Sequence, residues 1–169
     1  EANSQDIYVA GNWMNRGVFT AGTGTVIFDG VGTQQLDSGG TGVGKLFNNI
    51  SHTGSGLLQL VNNALDVDGT FHLQSGTFDL NSQDMNVAGD FTLDSGTSFV
   101  KGGTITFDGD LTFTDNLGVN IGDVVIGTSP DTITLASDLT ADSLTISNSD
   151  VFITDGYDIT LTGNLTIQG

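Results

Sequence analysis

Apolar residues in this chain come in short runs that alternate with polar ones and break at Gly, Asp or Asn. Val26 and Phe28 alternate in this way, as do Ile105 and Phe107. A period of two is the mark of a strand with one buried face. No stretch carries the 3.6-residue spacing of an amphipathic helix.

The runs recur at a fixed interval. Val67, Gly69, Phe71 and Gly76 return twenty residues later as Val87, Gly89, Phe91 and Gly96. A third pass follows in Ile105, Phe107, Gly109, Leu111 and Phe113. A short repeat of this kind buries its apolar face only by stacking on its neighbours. The predicted architecture is all-β: a parallel β-helix (β-solenoid) of about 20 residues per coil and roughly eight coils, at about 4.8 Å per coil a rod of roughly 40 Å. In it, Val67, Val87 and Phe107 form one interior column, and Phe71, Phe91 and Leu111 another. Gly69, Gly89 and Gly109 are expected at corners with φ > 0, where only Gly escapes a steric cost.

Two longer matches extend the pattern. Residues 6–13 and 22–30 resemble 84–91 and 102–109, and Ile50–Leu73 maps onto Leu144–Ile167 at a spacing of 94. Residues 1–169 therefore read as one solenoid domain. Segments 31–45 and 114–131 break the spacing and read as loops bulging from the stack, where function concentrates. The first strand, Ile7–Val9, and the last residues from Leu161 onward carry no polar cap. Bare strand edges recruit further strands. The chain is thus expected to be a segment of a longer array, or a subunit that stacks end to end.

Composition sharpens this picture. Twenty-five glycines and a single proline suit strands joined by tight turns. Three Lys and Arg against 20 Asp and Glu give a formal charge of −17. All the acids but Glu1 are Asp, a turn residue and a poor helix former. So few cations disfavour nucleic acid and anionic membranes as partners. No cysteine is present, so no disulfide framework forms, and no apolar run approaches a membrane span.

The run from Gly11-Asn12-Trp13 through Thr20–Gly30 and Gly32–Leu36 to Phe47-Asn48-Asn49-Ile50 resembles repeats of very large bacterial secreted and cell-surface proteins. These are similar to autotransporter passengers and filamentous-haemagglutinin-type adhesins. The resemblance implies a right-handed parallel β-helix that is secreted or surface-attached, with a structural or adhesive role. It implies partners in neighbouring repeats of the same chain, in further copies, or in a glycan, host or abiotic surface. It carries over no catalytic or binding residue.

Candidate chemistry is sparse. Gly39–Lys45 fits the glycine-rich phosphate loop, but Leu46 stands where Ser or Thr would hold magnesium, and no helix follows. His52 is expected to face inward and His72 outward, which does not make a zinc pair. Asp90 and Asp110 are expected in one outward column a coil apart, and Asp68 and Asp108 in another. Like charges so placed cost a few tenths of a kcal/mol unless a cation bridges them. These four are the candidate metal residues, with calcium the ion. The same acids could serve a polysaccharide-active enzyme, and Thr104/Thr106, Thr132/Thr134 and Thr160/Thr162 an ice-binding face. The leading expectation is a non-catalytic extracellular stalk, surface layer or fibre; the alternative is a ligand-binding module using the two loops.

Overall fold

The computed structural model describes residues 4–127 and 130–169. Among them are 21 strands and no helix. Every strand pairing is parallel, as expected when each coil lays its strand on the equivalent strand of the coil before. The chain is a β-solenoid.

The longest sheet has eight strands, one per coil: it starts at Ile7–Val9, passes through Phe71–Leu73, Phe91–Leu93 and Leu111–Asp115, and ends at Thr132–Leu135 and Val151–Ile153. A six-stranded sheet runs from Leu65–Val67 to Leu165–Ile167. A five-stranded sheet runs from Trp13–Met14 to Ser98–Val100. In chain order its place is then taken by the pair Leu139–Ala141 and Ile159–Leu161. Each strand shows the alternation read from the sequence, as in Phe91 buried, Thr92 half-buried, Leu93 buried.

The first interior column is as expected and longer. Val67, Val87 and Phe107 lie in register, continued by Phe47 on one side and by Ile126, Ile146 and Ile167 on the other. The second column needs a correction. Phe91 pairs with Phe113, not Leu111, which pairs instead with Ile133. Two residues are added between Phe107 and this strand, and a shift of two leaves the same face inward. Packing decides between the two alignments: Phe113 stacks on Phe91 at 5.8 Å and 8°, continuing the Phe71–Phe91 stack at 5.3 Å. Offset stacking adds about 0.5–1.5 kcal/mol per pair to the burial.

Gly69, Gly89 and Gly109 also have a different reason to be glycine. None has a positive φ; that conformation falls at Gly76 (67°) and Gly96 (82°). What Gly89 avoids is a clash, since a Cβ there would lie 2.6 Å from the backbone carbon of Gly69. At Gly109 it would lie 2.3 Å from the Ala88 carbonyl oxygen. Successive coils touch backbone to backbone at this corner.

The long-range matches join strands of different faces. Thr25–Phe28 is in the eight-stranded sheet, whereas its sequence match at Ile105–Phe107 is in the six-stranded one. Likewise Ile50 and Leu144 occupy different sheets. All faces share one demand, inward alternation ending at a Gly or Asp corner, so sequence similarity does not distinguish them.

The two expected loops are largely coil. Thr33–Asp37 is a strand with Gln34 and Leu36 buried, so only residues 38–46 bulge. Within 114–131, Asp115 ends one strand, and Asp123–Ile126 is another whose Val124 and Ile126 are core. Residues 128 and 129 of that segment lie outside the described residues.

Candidate functional site

The outward Asp residues have a structural use. Asp84 Oδ1 accepts the Thr104 N–H at 2.8 Å, Asp90 Oδ1 that of Thr112 at 2.8 Å, and Asp110 Oδ1 that of Thr132 at 2.8 Å. Asp6 to Thr25 and Asp138 to Asp158 repeat the contact at 2.9 Å. Each carboxylate leans from its corner to cap an amide at or beside the start of the next coil's strand. The span suits the short Asp side chain, which gives the excess of Asp over Glu a physical reason.

This arrangement revises the candidate metal residues. The register of Phe91 with Phe113 sets Asp90 beside Thr112, so Asp90 and Asp110 are not neighbours in one column. They do line one shallow depression of about 400 Å³ with Leu111, Thr112, Thr132 and Thr134. Asp68 and Asp108 lie on a different corner, two coils apart across Ala88. Among the described residues no three or more His, Asp or Glu side chains come together as a metal site.

A carboxylate that sequence patterning passed over is the most perturbed. Asp66, half-buried on the strand Leu65–Val67, is pushed up to about 6, first by burial and then by the charges of Asp68 and Asp108. Asp37 goes the other way. Burial opposes ionisation there, but hydrogen bonds from Asn62, Asn63 and the Gly39 N–H, with the Arg16 charge, hold it below the usual carboxylate range.

The remaining candidates resolve into packing. Lys45 of the glycine-rich run donates to the carbonyl oxygens of Asn15 at 3.0 Å and Gly17 at 2.7 Å, tying the 38–46 bulge to the first coil. His52 is fully buried, its ring nitrogens facing the carbonyl oxygens of Phe28 and Gly56. His72 is at the surface, 3.0 Å from Asp94. Threonines pair across coils, Thr112 with Thr134 and Thr140 with Thr160, but Ile153 and Val125 interrupt the columns. Asp115 is buried and accepts the N–H groups of Leu117, Gly118 and Val119, a turn-building role that no motif announces.

Several exposed apolar residues gather on the last coil. Val151 is 50% exposed, Leu165 53% and Ile167 69%. The strands Val151–Ile153, Ile159–Leu161 and Leu165–Ile167 are each the outermost of their sheet. At the other end Ile7–Val9 and Trp13–Met14 are outermost, with Tyr8 and Met14 exposed. No helix among the described residues is long and apolar enough to cross a membrane. Comparison with protein families, with curated proteins and with solved structures gave no match.

Proposed function

We propose that this chain is a non-catalytic structural and adhesive solenoid, working on or outside the cell as part of a stalk, surface layer or fibre. The observation that carries the reading is the last coil, where three parallel strand edges and the interior-column side chains of Leu165 and Ile167 are left uncovered together. Such an edge gains both ladder hydrogen bonds and apolar burial when another coil is laid on it. The matching edge is that of Ile7–Val9 and Trp13–Met14 at the opposite end. Further coils, of the same chain or a second copy, would then continue the rod. A charge of −17 keeps the sides of such rods apart, which favours growth along the axis over lateral clumping.

Sedimentation velocity and negative-stain microscopy over a concentration series test the stacking. Rods that lengthen with concentration are expected, and Leu165→Lys with Ile167→Lys should return them to single units. Dispersed single units of the parent chain at millimolar concentration would sink end-to-end stacking.

A second reading, a surface ligand module, draws its support from the depression of about 270 Å³ between Phe19, Val43 and Leu46 beside the 38–46 bulge. A glycan array without hits would remove it.

A further inference from the structure

Among the described residues, buried side-chain polar atoms without a hydrogen-bond partner occur at two places, Trp13 Nε1 and the Oδ2 atoms of Asp131 and Asp150. Other buried polar side chains are held. Gln34 donates to the carbonyls of Val9 and Gly11 and accepts from the Gly30 N–H. Ser38 donates to the Ala64 carbonyl, and both oxygens of Asp115 accept backbone N–H groups. The two unpartnered carboxyls lie at the corner that opens the last two strands of the eight-stranded sheet. Asp131 precedes the strand Thr132–Leu135, and Asp150 precedes Val151–Ile153.

Register sets these two carboxyls side by side. Thr132 pairs with Val151 and Ile133 with Phe152, so Asp131 and Asp150 are neighbours one coil apart. Alternation turns Asp131 to the inward side with Ile133 and Leu135, and Asp131 is only 7% exposed. The backbone closes around the pair. The Asp131 N–H donates to Asp150 Oδ1 at 3.1 Å, and the Val151 N–H donates to the Asp131 carbonyl at 2.8 Å. The two Oδ2 atoms are both buried and have no hydrogen-bond partner among the described residues. Two ionised carboxylates cannot be left so without a large desolvation and repulsion cost.

Among the described residues no positive charge offsets it. The groups acting on Asp131 are Asp108 and Asp110 from the preceding coil and Asp150 from the following one, all acidic. Asp110 already gives Oδ1 to the Thr132 N–H, and Lys101 is spent on Asp142. A protonated carboxyl, by contrast, gains one O–H donor while its partner remains an acceptor. A proton shared by the pair would give one carboxyl a donor and leave the other an acceptor.

We propose that Asp131 and Asp150 hold a single proton between their Oδ2 atoms, an acid-stabilised latch that fastens the last coil to the one before it. The proton comes from water, and no other bond is made or broken. Burial, then Asp108, Asp150 and Asp110, push the Asp131 carboxyl above its ordinary value, which agrees in direction. A carboxyl raised by folding contributes stability that is fully present below its unfolded value. That stability is lost as pH rises through the folded one. The latch therefore weakens toward neutral and alkaline pH, and the coil from Asp150 onward loosens first.

The test is a pH series of thermal unfolding with amide exchange at Val151. It is run in an Asp66→Asn background so that the other raised carboxyl is removed, and repeated with chelator and with millimolar calcium. Asp131→Asn is neutral at every pH and can still donate to Asp150. It should match its parent near about pH 4 and exceed it by about 2–4 °C near pH 8, with slower exchange at Val151. Asp150→Asn should flatten the same profile and gives an independent reading if Asp131→Asn folds poorly. Variants whose profiles run parallel to the parent at all pH values would overturn the latch. Calcium that protects the parent but neither variant would also overturn it, by making a cation the occupant.

Discussion

Lys101 Nζ lies 2.5 Å from Asp142 Oδ2, although 41 residues separate them in sequence. Asn120 Nδ2 and Thr162 Oγ1 reach Asp142 Oδ1 at 2.8 and 3.0 Å. Four successive coils thus meet at one surface carboxylate. The cluster ties turns of the rod together from outside, much as the aromatic stack does from within.

Removing the cation from this cluster tests it. The Lys101 hydrogen bond is the largest influence holding Asp142 below the usual carboxylate range, followed by those of Asn120 and Thr162. A depressed carboxyl contributes stability above its unfolded value and loses it as pH falls through the folded one. Lys101→Met should lower the melting temperature slightly at neutral pH, and less in high salt, because the pair is exposed. Below the carboxylate range the difference from the parent should vanish.

Asp66 predicts the opposite pH trend. Raised to about 6 by burial and by Asp68 and Asp108, it favours the fold while protonated and costs stability once ionised. Asp66→Asn should therefore stabilise the protein above about pH 6 by roughly 1 kcal/mol, after allowing for solvent screening of a half-buried group. Below about pH 4 the gain should disappear. Urea titrations at the two pH values check this, and a gain that is the same at both would refute the assignment.

The revised register can be tested by coupling energies. Phe91 stacks on Phe113 but has no register contact with Leu111. Each Phe→Ala change alone should cost about 3–5 kcal/mol. A double-mutant cycle on Phe91 and Phe113 should show a coupling of about 0.5–1.5 kcal/mol. A larger coupling between Phe91 and Leu111 would restore the alignment at a uniform spacing of twenty.

Glycines separate by the reason each is there. Gly89→Ala pushes a methyl into the Gly69 backbone and should cost about 1–3 kcal/mol or more. Gly11, whose Cβ would meet nothing within 4 Å, should accept Ala without loss. Equal melting temperatures for the two variants would contradict close backbone approach at the Gly89 corner.

The stacking of coils was readable from the chain alone, because alternation and a repeat near twenty residues both report on how one coil buries its face on the next. The column Val67–Val87–Phe107 and the inward His52 follow from that periodicity directly. Periodicity has a blind spot at shifts of two. Leu111 and Phe113 point the same way, and only ring packing against Phe91 chooses between them. It also does not separate faces, since Thr25–Phe28 and Ile105–Phe107 meet the same demand on different sheets. The strands hidden in 31–45 and 114–131 were masked because turn length between faces varies while the faces themselves persist.

The acidic residues divide in the same way. Their number and the preference for Asp were set by the chain, and with them the charge of −17. What each one does was decided by the coil it lands beside. Asp90 caps the Thr112 amide, Asp142 gathers four coils, Asp66 is burdened by its neighbours, and Asp131 faces Asp150. A carboxylate's role depends on partners about twenty residues away and on burial, and both come into existence only when the coils stack.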